Sequence, residues 1–224
     1  MYLKPVAYYH CPMTSKFGIP RQSCVVKKLE GTVELISSEV GQAALDGIEG
    51  FDFIWLLWGF SSNRKNSGKD TVRPPRLGGN RTVGVFASRS PYRPNPIGLS
   101  SVRLLSRNGM SLRVTGADLM DGTPIYDIKP YLPYTDSHPD AKAGFTDLNG
   151  WKKLSVSIPE GLERKLREKK GDDAAEILKE LLSQDPRPRY QNDKERIYGM
   201  AYGDMDVRFK VDGDVLNITE IIGL

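Results

Sequence analysis

The alternation of apolar and polar positions predicts a chain made largely of short strands. Residues 3–9 alternate, with Val6 and Tyr8 on one face, and predict a first strand. Residues 25–29, a turn at Glu30-Gly31 and residues 32–36 read as a hairpin. Ser38 can cap a short helix over 39–48, with Gly50 ending it. Residues 51–60 are apolar at eight of ten positions and include Trp55 and Trp58, which predicts a strand buried on both faces. A polar stretch, 61–70, breaks it. Residues 83–87 predict another short strand. Residues 99–106 and 110–117 flank Arg107-Asn108-Gly109, and Asn-Gly is a strong hairpin signal. Asp121-Gly122-Thr123-Pro124 reads as a turn, followed by a strand over 125–128.

The pattern then changes. Residues 131–144 hold breakers and little periodicity, which places a boundary near 137–150. Residues 159–169 predict a charged helix. Ala174, Ile177, Leu178, Leu181 and Leu182 follow helical spacing, with Asp172 or Asp173 as cap. Residues 185–190 stop that helix. Val207, Phe209 and Val211 alternate, Asp212-Gly213 turns, and residues 215–221 complete a second hairpin. Between 51 and 150 no amphipathic helix stands out, so the first part is an antiparallel sheet or barrel. No glycine-rich dinucleotide or phosphate-loop motif is present, which argues against a Rossmann or P-loop domain.

Charge sharpens this picture. From position 71 to 117 there is no Asp or Glu, and the stretch carries eight arginines and no lysine. The whole chain is only +4, so the rest is net −4. Arginine without lysine favours bidentate recognition of phosphate or carboxylate. Proline and glycine around Arg73, Arg76, Arg81, Arg89 and Arg93 make stiff, tight loops. Internal pairing with acids from elsewhere in the fold is the plain alternative. Residues 163–170 read as a solvated helix face, and residues 185–190 as a stiff linker or an RNA contact.

Other chemistry is thin. His10 and His138 are the only histidines; with no third ligand in view no zinc site or other metal is expected, and histidine is too scarce to argue a Ser-His-Asp arrangement. Cys11 and Cys24 are too few for a disulfide framework and suit a reducing cytoplasm. No apolar run is long enough for a membrane span. Asn95-Pro96-Ile97-Gly98 departs from the amino-methyltransferase [DN]-P-P-[YF] pattern at its last two positions. Four stretches look constrained: Pro20-Arg21-Gln22, residues 73–79, residues 88–99 and Asp121-Gly122-Thr123-Pro124.

Three of the longer motifs, TVRPPRLGGN, GVFASRSPYRPNPIGLS and DGTPIYDIKPYLPY, resemble the TsaA-like family of bacterial tRNA (adenine-37-N6)-methyltransferases, also called TrmO or YaeB. GIPRQ near the start and DPRPRY near the end extend the likeness over nearly the whole chain. The resemblance implies a mainly β (α+β) protein: a single-sheet antiparallel β-barrel binding S-adenosylmethionine over 1–145, and a small α+β domain over 155–224. It implies methylation of N6 of threonylcarbamoyladenosine at position 37 of threonine tRNAs by a cytoplasmic homodimer. Carried over by position, the cofactor contacts are Pro20, Arg21, Gln22, Ser61, Ser62, Arg89, Leu99, Asp121, Gly122, Thr123 and Pro124. Ser61 and Ser62 stand where family members have His-Gln. The remaining basic and aromatic residues, Arg73, Arg76, Arg81, Tyr92 and Arg93, are expected to hold tRNA. No catalytic base is assigned. A non-catalytic RNA-binding module and an enzyme acting on a small anionic substrate are the alternatives.

Overall fold

The computed structural model describes residues 3–61, 70–78, 81–148, 152–187 and 193–224. Six strands close a barrel in the order β1-β2-β7-β6-β3-β8: β1 Ala7–His10, β2 Glu30–Leu35, β3 Phe53–Gly59, β6 Ile97–Asn108, β7 Ser111–Thr115 and β8 Thr123–Pro130. All their pairings are antiparallel, and β8 returns to β1 through Ala7 opposite Ile125. Closure removes the unpaired edges a flat sheet would leave. Two two-residue strands, β4 Thr71–Val72 and β5 Val83–Gly84, pair beside the barrel.

Period-two alternation fills the interior. Ala7, Tyr9, Val33, Ile54, Leu56, Val102, Leu112, Val114 and Ile125 are all fully buried. The predicted burial of residues 51–60 on both faces is corrected. Ile54, Leu56 and Trp58 point into the core, while Phe53, Trp55 and Leu57 are only half-buried. A barrel strand has an outer face, and here Tyr131 covers part of it, 5.5 Å from the Trp55 ring.

Local signals misled in three further places. The strand expected over 83–87 is only the two-residue β5, and residues 85–87 form a 3-10 turn. Residues 25–29 form no strand, and Glu30-Gly31 lie inside β2 rather than in a turn. Tyr9 packs so close to Gly31 that only glycine fits: a Cβ at 31 would stand 2.2 Å from the Tyr9 hydroxyl. The helix expected over 39–48 is two short 3-10 turns, Gln42–Leu45 and Ile48–Gly50, separated by Gly47 at φ 84°. A left-handed residue cannot continue an α-helix.

A second unit carries a four-stranded sheet ordered β10-β11-β12-β9: β9 Ser155–Ser157, β10 Tyr198–Tyr202, β11 Met205–Asp212 and β12 Val215–Ile222. The helices α3 Glu160–Lys170 and α4 Ala174–Ser183 belong with it, and Leu166, Leu178, Leu181 and Leu182 share its core with Val207 and Phe209. Two single-turn helices, α1 Pro133–Asp136 and α2 Phe145–Leu148, lie between the two sheets in sequence. The expected helices and C-terminal hairpin are present; β9 and β10 were not foreseen. The second core also contains Met13, Val26 and Leu29, so the loop between β1 and β2 is packed into it.

Candidate functional site

One cavity of about 590 Å³ opens at the barrel rim where β3 ends and β6 begins. That volume is typical of a site for a small ligand. Its walls come from four segments distant in sequence: the loop carrying Pro20, Arg21 and Gln22; the end of β3 through Ser61; the loop carrying Arg89 and Arg93; and the β7–β8 connection with Asp118 and Met120, ending at Thr123, the first residue of β8. Leu99 joins them because β6 alternates, turning Gly98 and Ser100 inward and Leu99 outward, where it is 57% exposed.

Charges of both signs meet in this cavity. Arg89 donates from Nη1 to Gln22 Oε1, which links two of the expected cofactor residues directly. Arg21 donates from Nη2 to the Asp185 carbonyl at 2.6 Å. Asp118, which the sequence reading missed, accepts from the Ser100 hydroxyl, and Ser100 in turn accepts from Trp58 Nε1 at 3.0 Å. Burial pushes the Asp118 carboxyl above the usual carboxylate range, against the opposing pull of the Ser100 bond and the Arg89 charge. The signal for Asp118 was available: it is the first acid after the acid-free stretch, three residues before the Asp-Gly-Thr-Pro turn.

The turn itself divides. Thr123 lines the cavity, and its hydroxyl donates to the Met120 carbonyl at 2.6 Å. Asp121, Gly122 and Pro124 are not on the cavity wall. The Asp121 carboxylate instead accepts from the Cys11 amide at 3.1 Å, with His10 Nδ1 at 3.3 Å, and so ties β1 to the turn. Gly122, at φ 72°, donates its amide to the Tyr9 carbonyl at 2.8 Å. Pro124 sits in β8 opposite Tyr8. Ser62 lies outside the described residues.

The arginines expected to hold RNA also divide. Arg73 and Arg81 are exposed near β4 and β5. Tyr92 is half-buried beside the cavity loop. Arg93 lines the cavity, but its Nη1 donates to the carbonyls of Ser88 at 2.9 Å and Ser90 at 3.3 Å, holding its own loop. The side chain of Arg76 is outside the description. Elsewhere in the acid-free stretch, Arg107 pairs with Asp46 and Glu49, and Arg113 with Glu30 at 2.7 Å. Internal pairing thus accounts for those two arginines.

The donor set suits S-adenosylmethionine. Guanidinium groups match its carboxylate, the Asp118 carboxylate matches its positive charge, and Trp58, Phe60, Ile97 and Leu99 offer apolar surface to its base. Among the described residues no cluster of three or more His, Cys, Asp or Glu could hold a metal ion. No helix among them is long and apolar enough to cross a membrane.

Comparison with known proteins bears on both units. Residues 8–137 match the tRNA-methyltransferase O N-terminal domain, and residues 151–223 match the TrmO C-terminal domain. The chain is 39% identical over 208 residues to the tRNA (adenine(37)-N6)-methyltransferase of Escherichia coli, covering 89% of this chain and 88% of that one. It is 38% identical over 146 residues to a probable S-adenosyl-L-methionine-binding protein of Pyrococcus abyssi, covering 65% of this chain and 76% of the relative. A crystal structure of TrmO from Pseudomonas aeruginosa superposes with a TM-score of 0.80 at 31% identity, covering 100% of this chain and 99% of the other.

Proposed function

Because the chain belongs to the tRNA-methyltransferase O family along both of its units, we propose that it is an S-adenosylmethionine-dependent tRNA (adenine(37)-N6)-methyltransferase working at the rim cavity. The observation that carries this reading is the convergence of Pro20, Arg21, Gln22, Ser61, Arg89, Leu99 and Thr123 on one cavity that also holds Asp118. The cofactor, when bound, supplies a methyl group on a sulfonium centre. The residues of the chain do the placing. Arg21 and Arg89 pair with a carboxylate, and Asp118 faces positive charge. The apolar walls keep water from the reacting atoms. Transfer of this kind is governed by approach geometry, so rigid loops contribute more than a strong base would.

The substrate in this reading is threonylcarbamoyladenosine at position 37 of threonine tRNAs. Exposed Arg73 and Arg81 support it, since single-stranded loops are held through phosphate contacts, and Tyr92 can stack on a base. The reading places the enzyme in the cytoplasm as a homodimer. Phe86, 78% exposed, and Leu99, exposed at the cavity, are apolar surface that a second copy would cover.

The test is incubation with labelled S-adenosylmethionine and total tRNA from cells with and without the threonylcarbamoyl modification. Label entering only the modified tRNA is the expected result. Binding of tRNA with no label transferred to either pool would return the protein to the non-catalytic RNA-binding class.

A further inference from the structure

We propose that Asp185 and Arg187 of the second unit are positioning residues for Arg21, so that the C-terminal unit sets the affinity of the cofactor cavity on the barrel. The proposal rests on the reading of that cavity as the S-adenosylmethionine site.

The loop that carries Arg21 has no regular structure of its own. Many of its anchors come from the second unit. Met13, Val26 and Leu29 are buried in that unit's core. Phe17 stacks on Phe209 with ring centroids 6.4 Å apart. Gly18, at φ 93°, lies so close to Met200 that a Cβ would meet its sulfur at 2.3 Å. The Lys27 amide donates to Glu180 of α4 at 3.1 Å, and the Gly203 amide donates back to the Pro12 carbonyl at 2.7 Å. The loop is therefore held from two sides: the second unit supplies these contacts, and the barrel side receives the Cys24 amide at the Gly116 carbonyl at 2.7 Å and donates the Thr115 hydroxyl to the Leu29 carbonyl at 3.0 Å.

One contact reaches a cavity side chain itself. Asp185 follows the last turn of α4, where its amide donates to the Leu182 carbonyl at 3.1 Å. It adopts φ 50°, a left-handed conformation rare for a residue with a side chain. Its carbonyl receives Arg21 Nη2 at 2.6 Å. The guanidinium thereby sits at the negative end of a helix, a favourable place for a cation. The strained turn is kept by a fork: Arg187 Nε and Nη2 donate to the two Asp185 carboxylate oxygens at 2.9 and 3.1 Å. The Arg187 side chain is only 9% exposed, so this pair is screened less by water than the surface pairs are. A guanidinium is planar, and fixing one of its donors restricts the plane in which the others approach a ligand. The order of action is fork, left-handed turn, carbonyl, Arg21, cavity.

The experiment is a calorimetric double-mutant cycle with S-adenosylmethionine as titrant, using full-length protein. Asp185→Gly keeps the left-handed backbone accessible and removes the fork. It is expected to weaken cofactor binding about tenfold, the effect of releasing one hydrogen bond from a charged group. Asp185→Asn, which tolerates the same backbone and retains an acceptor, is expected to recover most of the affinity. In an Arg21→Ala background, Asp185→Gly is expected to have no further effect. Should Asp185→Gly fail to fold, Arg187→Gln breaks the fork from the other side and is read in the same way. An equal loss in both backgrounds overturns the proposal, since the turn would then not act through Arg21. Weakened tRNA binding with unchanged cofactor affinity also overturns it, and makes the segment an RNA contact. If Arg21→Ala itself leaves cofactor affinity unchanged, the assignment of the cavity falls first; if only Asp185→Gly is silent, the cavity stands and the positioning role falls.

Discussion

The Ser100 hydroxyl donates a 2.5 Å hydrogen bond to the Asp118 carboxylate, joining the inner face of β6 to the connection that precedes β8. Burial raises the Asp118 carboxyl, and the Ser100 bond and the Arg89 charge pull it back down. A carboxyl whose folded pKa lies above its unfolded value holds its proton more tightly in the folded protein. Stability contributed by that proton is present at low pH and is lost as pH rises from the ordinary carboxylate range through the raised value. Ser100→Ala removes a partner of the charged form, so the loss extends to higher pH. Asp118→Asn removes the titration and flattens that part of the profile. Thermal melts across the acidic range, read as slope against pH, check both; a profile of Ser100→Ala shifted to lower pH would contradict the balance of burial and bonding.

Arg89 and Gln22 belong to loops that meet at the cavity, and their side chains are hydrogen-bonded. Removal of the charge by Arg89→Ala is expected to weaken S-adenosylmethionine by about 100-fold, the upper end for a charged hydrogen-bonded contact. Gln22→Ala removes a neutral partner and should weaken it about fivefold. Calorimetric titration measures both. Affinity retained by Arg89→Ala would take Arg89 out of the cofactor site.

Arg73 and Arg81 are exposed, whereas the guanidinium of Arg93 holds the carbonyls of its own loop. Replacing Arg73 and Arg81 together with Gln should lower the dependence of log affinity for tRNA on log salt by about 1.4, the value for two phosphate contacts to a single strand. Arg93→Gln should leave that slope unchanged and lower the melting temperature instead. Filter binding over a salt series separates the two outcomes.

The barrel was legible in the sequence because its strands alternate with period two and its turns carry Gly, Asn and Asp. The Asn108-Gly109 turn and the pairing of β6 with β7 follow from those residues alone. The error at Glu30-Gly31 has a physical origin: a glycine placed for close packing against Tyr9 looks, in one dimension, like a glycine placed for a turn. The rim segments showed themselves by arginine content and stiffness, but not their destinations. Arg89 and Arg93 stand four residues apart, yet one reaches Gln22 across the cavity and the other turns back on its own loop. Burial, which gives Asp118 its unusual carboxyl, depends on which strands close over it and has no local signature.

Gly98 stands opposite Trp58 across the β3–β6 pairing, and a Cβ there would lie 2.3 Å from the indole ring. Trp58 lines the cavity, tilts against Phe60 with centroids 4.3 Å apart, and donates to Ser100. Gly98→Ala must therefore displace the ring, with an overpacking cost of about 2 kcal/mol. In a chain of this length that lowers the melting temperature by about 6 °C. The displacement also pulls the indole N–H from Ser100 and reshapes the wall facing the cofactor, so S-adenosylmethionine should bind about tenfold more weakly. Gly109→Ala supplies the comparison. Gly109 has φ 59° and open space around the position of its missing Cβ, so alanine there brings backbone strain of about 1–2 kcal/mol without touching the cavity. Its melting temperature should fall by a similar amount while cofactor affinity stays at the parent value. Equal losses of affinity in the two variants would mean that general destabilisation, and not the Trp58 wall, governs how tightly the cavity holds its ligand.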